Sequence, residues 1–482
     1  MRPDRPQLHP VTVAPSREDP VARSLSEVGG GPVGRHSRPH RWWVPVRVLL
    51  AAFAVVFAVA LVQHQPCLKT GWASDEARYG KMCYSDVPYL YIGRGYAEGL
   101  WPYSDTGGRY EVTEYPVGIS YLAWFAARLT QLDPSGPPPG ARHLGDPQQL
   151  WSLPGMAAEV NSYFLVTALL LCLFGVLATW FLAGTHRGRP WDALYFVLSP
   201  ALLATGLINW DLMAVALVAG ALWAWSRQRP MLTGVLIGLG AATKLYPLFL
   251  LGPLLVIAWR RRELGTFGLA AVGAVVAWGV VNLPAVLTGF AQWKVFWTFN
   301  SARGADLGSM WLVLEHAGHK VVPATINTWS WVLFGAICVA VAVLGTVARE
   351  TPRLAQLALL VVAGFLLVNK VYSPQYVLWL LPLAVMARPR WRDLLIWQAG
   401  ELAYLFGVWM YLGGWLNAAV GGGAPAYDVL ICVRVLAELY LVAVVVRDIL
   451  RPEHDPVRAE RTPARGRSLA GPEPLVGSGA AS

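Results

Sequence analysis

Charge is what this chain has least of. Only 14% of its 482 residues are charged and 55% are hydrophobic, whereas an ordinary soluble domain carries about a quarter charged residues. So little charge cannot solvate a large water-facing surface, which excludes an ordinary soluble enzyme and points to lipid as the solvent. Lysine is scarcer still, six of the 39 basic residues. Cysteine is rare too: five in all, with no metal-ligand spacing, so no metal site is expected. Also missing are the phosphate-cradling Gly-rich loop with its Lys, the HExxH zinc helix and the GxSxG elbow. The chain has no recognisable means of using a nucleotide. Its formal charge of +10 would suit nucleic acid if the arginines shared one face. Instead they fall in short runs between apolar segments, the positive-inside pattern of membrane loops, and no nucleic-acid partner is expected.

Those runs set a topology. The first apolar segment, 44–63, has Arg41 and Arg47 at its start, so its N-terminus is expected in the cytoplasm. Later segments run into basic connections at 185–190, 226–230, 259–263, 348–353, 387–393 and 446–452. The alternate connections, 208–211, 244–247, 290–330, 370–375 and 413–427, are aromatic, amide and acidic. Placing the basic set in the cytoplasm satisfies every connection at once. Spans are then expected at 44–63, 161–184, 191–207, 212–226, 231–244, 247–259, 264–289, 329–347, 354–371, 376–387, 393–412 and 428–446. This describes an all-α membrane protein of about twelve transmembrane helices with both termini inside. Several spans fall short of the roughly 20 residues a perpendicular helix needs, which implies bilayer thinning or polar ends at the interface. Residues 117–132 are apolar, yet a crossing there would put 185–190 outside, so an interfacial or re-entrant helix is expected. The domain plan is a membrane domain at 41–450, with a first extracytoplasmic loop at 65–116, between disordered cytoplasmic tails at 1–40 and 451–482. Low Lys and Ile with abundant Ala, Gly, Arg and Pro suits a GC-rich bacterium, hence an inner-membrane location.

Polar residues gather on one side of this plan. Cys172, Cys338 and Cys432 lie in apolar runs as small hydrophobes, while Cys67 and Cys83 share the first exterior loop, where an oxidising compartment would permit a disulfide. That loop, 71–118, mixes Tyr and Trp with seven carboxylates, among them Glu111 and Glu114. Aromatic faces with carboxylates suit a sugar ring; an interfacial aromatic belt with solvated charges is the plainer reading. Within it Asp86, in "YSDVPYLY", lies among apolar and aromatic neighbours, where burial makes a carboxylate a useful base. A helix N-cap at Ser85 or Asp86 ahead of Pro88 is the alternative.

Two phrases repeat: "TKLYP" (243–247) and "NKVYSP" (369–374). Each ends an outgoing helix on Lys244 or Lys370 and opens the returning one with Tyr and Pro. A Lys there runs against the positive-inside bias, and the free N–H groups of the returning helix lie beside it, which together make an anion site. Capping of helix carbonyls by the Lys is the alternative. Asp211 and Glu114 each read equally as helix caps or site residues. Tyr115 follows Glu114 in "TEYPVG"; Arg303, His316 and His319 lie in the polar connection 299–320.

Taken together, "YSDVPYLY", "EGLWPYSD", "EYPVG", "INWDLMAVAL", "GVLIGLGAATKLYPLFLL" and "VNKVYSPQYVLWLLPL" resemble, over roughly 44–446, the C-type integral-membrane glycosyltransferases of family 87. Members of that family include actinobacterial polyprenol-phosphate-mannose-dependent α-mannosyltransferases. The resemblance implies the GT-C fold, and transfer of a sugar from a polyprenyl-phosphate donor to a lipid or glycan hydroxyl on the outer face, with inversion and no cofactor. Asp86 matches the family's general base, a role worth roughly 10²–10⁴-fold. Lys244, Lys370, Tyr372, Gln375 and Arg303 would meet the donor phosphate; Glu114, Tyr115, Asp211, His316 and His319 would contact substrate. Partners would be the donor, the acceptor and membrane lipids. A lipid or solute transporter or flippase is the rival reading, since twelve spans are common there.

Overall fold

In lipid every backbone polar group needs an internal partner, and a chain of long apolar runs meets that demand as helices. A computed structural model describes residues 43–459 apart from 135, 144–145, 187 and 417–423, and among these residues the architecture is helical. In chain order the main helices are α1 (Pro45–Gln63), α2 (Val87–Gly93), α3 (Val117–Thr130), α4 (Met156–Thr185), α5 (Asp211–Ser226), α6 (Pro230–Ala241), α7 (Leu251–Arg261), α8 (Leu264–Thr288), α9 (Phe290–Ala302), α10 (Met310–His316), α11 (Pro323–Val347), α12 (Leu354–Val368), α13 (Val377–Ala387), α14 (Trp391–Leu412) and α15 (Pro425–Leu450). Among the described residues, α1, α4, α8, α11 and α15 are long and apolar enough to cross a membrane. Shorter apolar helices, such as α5, α6 and α12, pack among them. The expected tail 1–40 lies outside the described residues.

Backbone-to-backbone packing of α6 and α8 explains how one corner of the site is held. Gly234 and Gly238 turn toward Ala270 and Ala274, where a Cβ would stand 1.9 and 2.2 Å from their carbonyl oxygens. Only glycine permits this approach, the small-xxx-small contact of membrane helices. It seats α6 so that Thr243 and Lys244 emerge beside α3, whose Gly118 N–H donates to Ala242 O at 2.7 Å.

Helix α3 starts at that corner and ends against the first loop, where Gln131 donates to Tyr96 O at 2.9 Å. Its 14 residues span about 21 Å. One end thus meets the Lys244 corner and the other the first loop.

Three features differ from the sequence expectation. The expected span 191–207 is broken into a 3₁₀ turn at Pro190–Ala193 and helices at Leu194–Val197 and Pro200–Thr205. Pro200 has no N–H to continue the ladder, and Ser199 Oγ caps the new start while donating to Gln398 Oε1 at 2.6 Å. The spans expected at 161–184, 329–347 and 428–446 extend further at both or one end, as α4, α11 and α15. The tail, expected to be disordered from 451, continues as ordered turns at Pro452–His454 and Pro456–Ala459. Asp455 holds it, accepting from Arg353 at 2.8 and 3.0 Å. The remainder, 460–482, lies outside the described residues. Cys67 and Cys83 form a disulfide that ties the chain after α1 to the start of the Asp86 segment.

Candidate active site

A cavity of about 570 Å³ opens at the polar end of the bundle. Residues of the first loop, the 244 and 370 corners, and α9, α11, α12 and α14 line it. One flank is polar, with Asp86, Glu114, Lys244, Arg303, Lys370 and Gln375. The other is apolar, including Phe296, Trp331, Phe334 and Phe365. Trp297, Phe299 and Trp331 also line it and are 43%, 41% and 58% exposed, so large apolar rings stand open along the cavity.

Asp86 precedes α2, but its carboxylate makes no cap hydrogen bond; Ser85 Oγ accepts from Val87 N instead, at 3.3 Å. Asp86 thus holds the N-cap position, but its carboxylate does no capping. Its backbone N–H is fixed to Ile208 O at 2.8 Å, which docks the loop on the turn before α5. Tyr84 Oη donates to Oδ1 at 2.8 Å and Asn209 Nδ2 to Oδ2 at 2.7 Å. Each oxygen keeps a further lone pair, and the residue faces the cavity. Burial pushes the carboxyl above its usual range, and the Asp211 charge adds to this; the two hydrogen bonds and the Lys244 charge oppose it. Asn209 also donates to Tyr115 Oη at 2.7 Å, and burial raises the Tyr115 phenol well beyond its usual value. Tyr115 is therefore a neutral hydrogen-bonding group here.

Lys244 is buried and stands 3.5 Å from Asp211 Oδ1. Its ammonium lies 4.6 Å from the Tyr115 ring centroid and 5.9 Å from that of Tyr376. Asp211 Oδ1 also accepts from Trp379 Nε1 at 2.6 Å, so Asp211 serves the Lys244 corner from behind and does not line the cavity. Lys370 is buried as well, and donates to Arg303 O at 2.7 Å and Asn327 Oδ1 at 2.6 Å. These partners are neutral. Arg303 lines the cavity while its guanidinium pairs with Asp306. Glu114 reaches the cavity held by Arg94 at 2.8 and 3.0 Å.

Besides Asp211, three expected residues lie elsewhere. Tyr372 is displaced from the cavity because a buried cluster captures it: its hydroxyl oxygen sits within hydrogen-bond distance of both Glu401 and Glu438, at 3.1 and 2.9 Å, with one proton to share between them. The Arg434 guanidinium lies 3.3 Å from its ring centroid and donates to its carbonyl at 2.7 Å. Tyr372 thus anchors the 370 corner from below. His316 is spent on Asp428, at 2.7 Å, and His319 is exposed on the surface; neither lines the cavity. Conversely, the sequence reading passed over Tyr84, Asn209, Asn327, Tyr376 and Trp409, all close to the reactive groups or on the cavity wall. Asn209 sits in the same "INWD" string as Asp211, and Tyr84 two residues before Asp86. Those adjacencies were the available signal.

Among the described residues no cluster of His, Cys, Asp and Glu is arranged to hold a metal ion. Membrane-length helices with an amphipathic cavity at one end, a carboxylate and cationic corners inside it, define a membrane protein equipped to bind an anionic, part-apolar molecule. Residues 138–369, just under half of the chain, match the model of Glycosyltransferase family 87. With the apolar helices, this likeness reads the chain as a membrane glycosyltransferase. The matched segment contains Asn209, Lys244 and Arg303 and ends one residue before Lys370; Asp86, Glu114 and Tyr115 precede it. The curated proteins searched give no match.

Proposed function

We propose that the protein transfers a sugar, mannose by its resemblance, from a polyprenyl phosphate to a hydroxyl of a lipid or glycan acceptor, on the outer face of the inner membrane. The observation that carries this reading is one cavity in which a partly buried carboxylate and cationic groups stand beside exposed apolar rings. A polyprenyl phosphate has the matching parts: an apolar tail for those rings, an anion for the Lys370 corner, and a sugar to lie toward Asp86. In the step, Asp86 takes the acceptor hydroxyl proton as that oxygen bonds to the anomeric carbon. The bond from that carbon to the phosphate oxygen breaks, and polyprenyl phosphate leaves from the opposite face with inversion. Tyr84 and Asn209 hold the carboxylate so that its free lone pairs face the acceptor. Lys370, with Arg303 and Gln375 on the same wall, stabilises the charge gathering on the leaving phosphate. A phosphate monoester leaves at its own acidity, so the step has no need of ATP.

Membranes carrying the protein, given radiolabelled polyprenyl-phosphate mannose and a lipid acceptor, should show label moving into the acceptor fraction. Label that crosses the membrane still bonded to its polyprenyl carrier would identify a transporter instead. For sidedness, an impermeant thiol reagent should label a cysteine placed at Asp105, exposed in the same first loop as Gly95, and spare one at the exposed Arg261; the reverse pattern overturns the orientation.

A further inference from the structure

At the opposite end of the bundle, where the arginines gather, a second cavity of about 590 Å³ opens among helix ends. Trp225 of α5, Ile257 and Arg261 of α7, the connection from Arg349 to Leu354 and the turns from Pro452 to Arg458 line it. Two of its four arginines are committed. Arg353 is tied to Asp455 and, at 2.6 Å, to Ala387 O. Arg458 is tied to Glu350 and, at 2.5 Å, to Thr351 O. The other two, Arg261 and Arg349, are exposed, and neither makes a side-chain hydrogen bond or ion pair among the described residues. The four guanidiniums face Glu350, Glu453 and the Asp455 carboxylate behind Arg353, which leaves one positive charge in excess.

An arginine that only sets topology needs a water-facing position and no cavity. An arginine with a structural task looks different at this same end. Arg388 is fully buried against Asp393 and Asp448. Arg227 and Arg260 bond the helix-end carbonyls of Gly184 and Gly345, at 2.7 and 2.9 Å. Arg261 and Arg349 do neither, and both stand on the wall of one roomy cavity whose floor includes Trp225, Ile257 and Leu354. A guanidinium is weakly hydrated and offers paired N–H donors that match phosphate oxygens. We infer that this cavity binds a phosphate-bearing anion, held by Arg261 and Arg349, with the apolar floor supporting the part of the ligand next to the phosphate. Its source is either the headgroup of an anionic phospholipid in the adjoining leaflet or a free phosphate compound. The site is separate from the transfer chemistry and does not depend on it.

The test uses the full-length protein in nanodiscs of phosphatidylcholine alone or with phosphatidylglycerol. Native mass spectrometry reads retained lipid, and thermal unfolding in phosphatidylcholine discs reads binding of added inorganic phosphate. The comparison is R261A/R349A, which removes two side chains that hold nothing else; R261K/R349K, which keeps the charge and loses the paired donors, guards against loss of fold. Wild-type protein retaining phosphatidylglycerol over phosphatidylcholine, with retention falling about tenfold or more in R261A/R349A, identifies the headgroup. A rise in melting temperature with phosphate in the wild type, lost in R261A/R349A, identifies the free anion. Equal lipid retention and equal phosphate response in the wild type and both variants overturns the proposal.

Discussion

Lys244 and Lys370 each end an outgoing helix ahead of a Tyr and a Pro, yet their surroundings differ in charge. At the first corner Asp211 stands 3.5 Å from the ammonium, and Tyr246 is buried flat against Trp379, with ring centroids 4.7 Å apart. At the second the ammonium meets only a carbonyl and an amide oxygen, while the Arg303–Asp306 pair beside it is neutral as a unit. One positive charge is therefore matched at the Lys244 corner and unmatched at the Lys370 corner. The difference divides the work. An unmatched buried cation awaits an anion, so under the proposed function Lys370 is the first candidate to meet the donor phosphate. A matched one acts mainly on its neighbours, and Lys244 acts on Asp86, whose carboxyl its charge holds down.

The comparison breaks first at Lys370. Lys370→Met should lower transfer by about 10²–10³-fold, the cost of losing one preorganised charge donor, with the protein still folded. If Lys370→Met and Lys244→Met cost the same, the division fails. Next comes the anchor beneath the Lys370 corner. Arg434→Met leaves Glu401 and Glu438 without their cation and should destabilise the fold by about 3–5 kcal/mol, read as a lower melting temperature in detergent. Lys244→Met should cost less, about tenfold, the smaller loss that goes with an already matched charge. It should also move the acid limb of the pH–rate profile. The sign follows from the base: Asp86 works as carboxylate, so activity rises with pH through its pKa. Lys244 lowers that pKa, and removing it shifts the limb to higher pH. An unshifted limb would uncouple Lys244 from Asp86. Tyr84→Phe removes one hydrogen bond to the carboxylate, worth about 1 kcal/mol. Transfer should fall several-fold, with an upward shift of the same limb at least as large as that of Lys244→Met, because the Tyr84 hydrogen bond holds the carboxyl down more than the Lys244 charge does.

Much of this arrangement can be read from the residue string, because short-range signals carry it. The charge deficit and arginine spacing announce helices in lipid. Asp86 stands out among apolar neighbours, and the Lys–Tyr–Pro phrases mark two corners that do line the cavity. Pro200 marks the break in the 190–205 segment. What the string hides is long-range pairing. Tyr372 occupies the same slot in its phrase as Tyr246, but its partners Glu401 and Glu438 come from 29 and 66 residues away on α14 and α15. Nothing local says that it turns inward. Asn209 has a comparable history: its bond to Asp86 crosses 123 residues, so it reads as an ordinary turn residue until the fold brings the two together. The order of 451–459 likewise depends on Arg353, 102 residues before Asp455.

The central claim is that Asp86 takes the acceptor proton during sugar transfer in this cavity. The most direct measurement is the rate of mannose transfer from labelled polyprenyl phosphate by wild-type and Asp86→Asn protein, at matched amounts and matched melting temperatures. Asn keeps the shape and can still meet Asn209 and Tyr84, so the fold should survive while the base is lost. The account predicts a rate lower by about 10²–10⁴-fold across the pH range. Transfer by Asp86→Asn at the wild-type rate would contradict it.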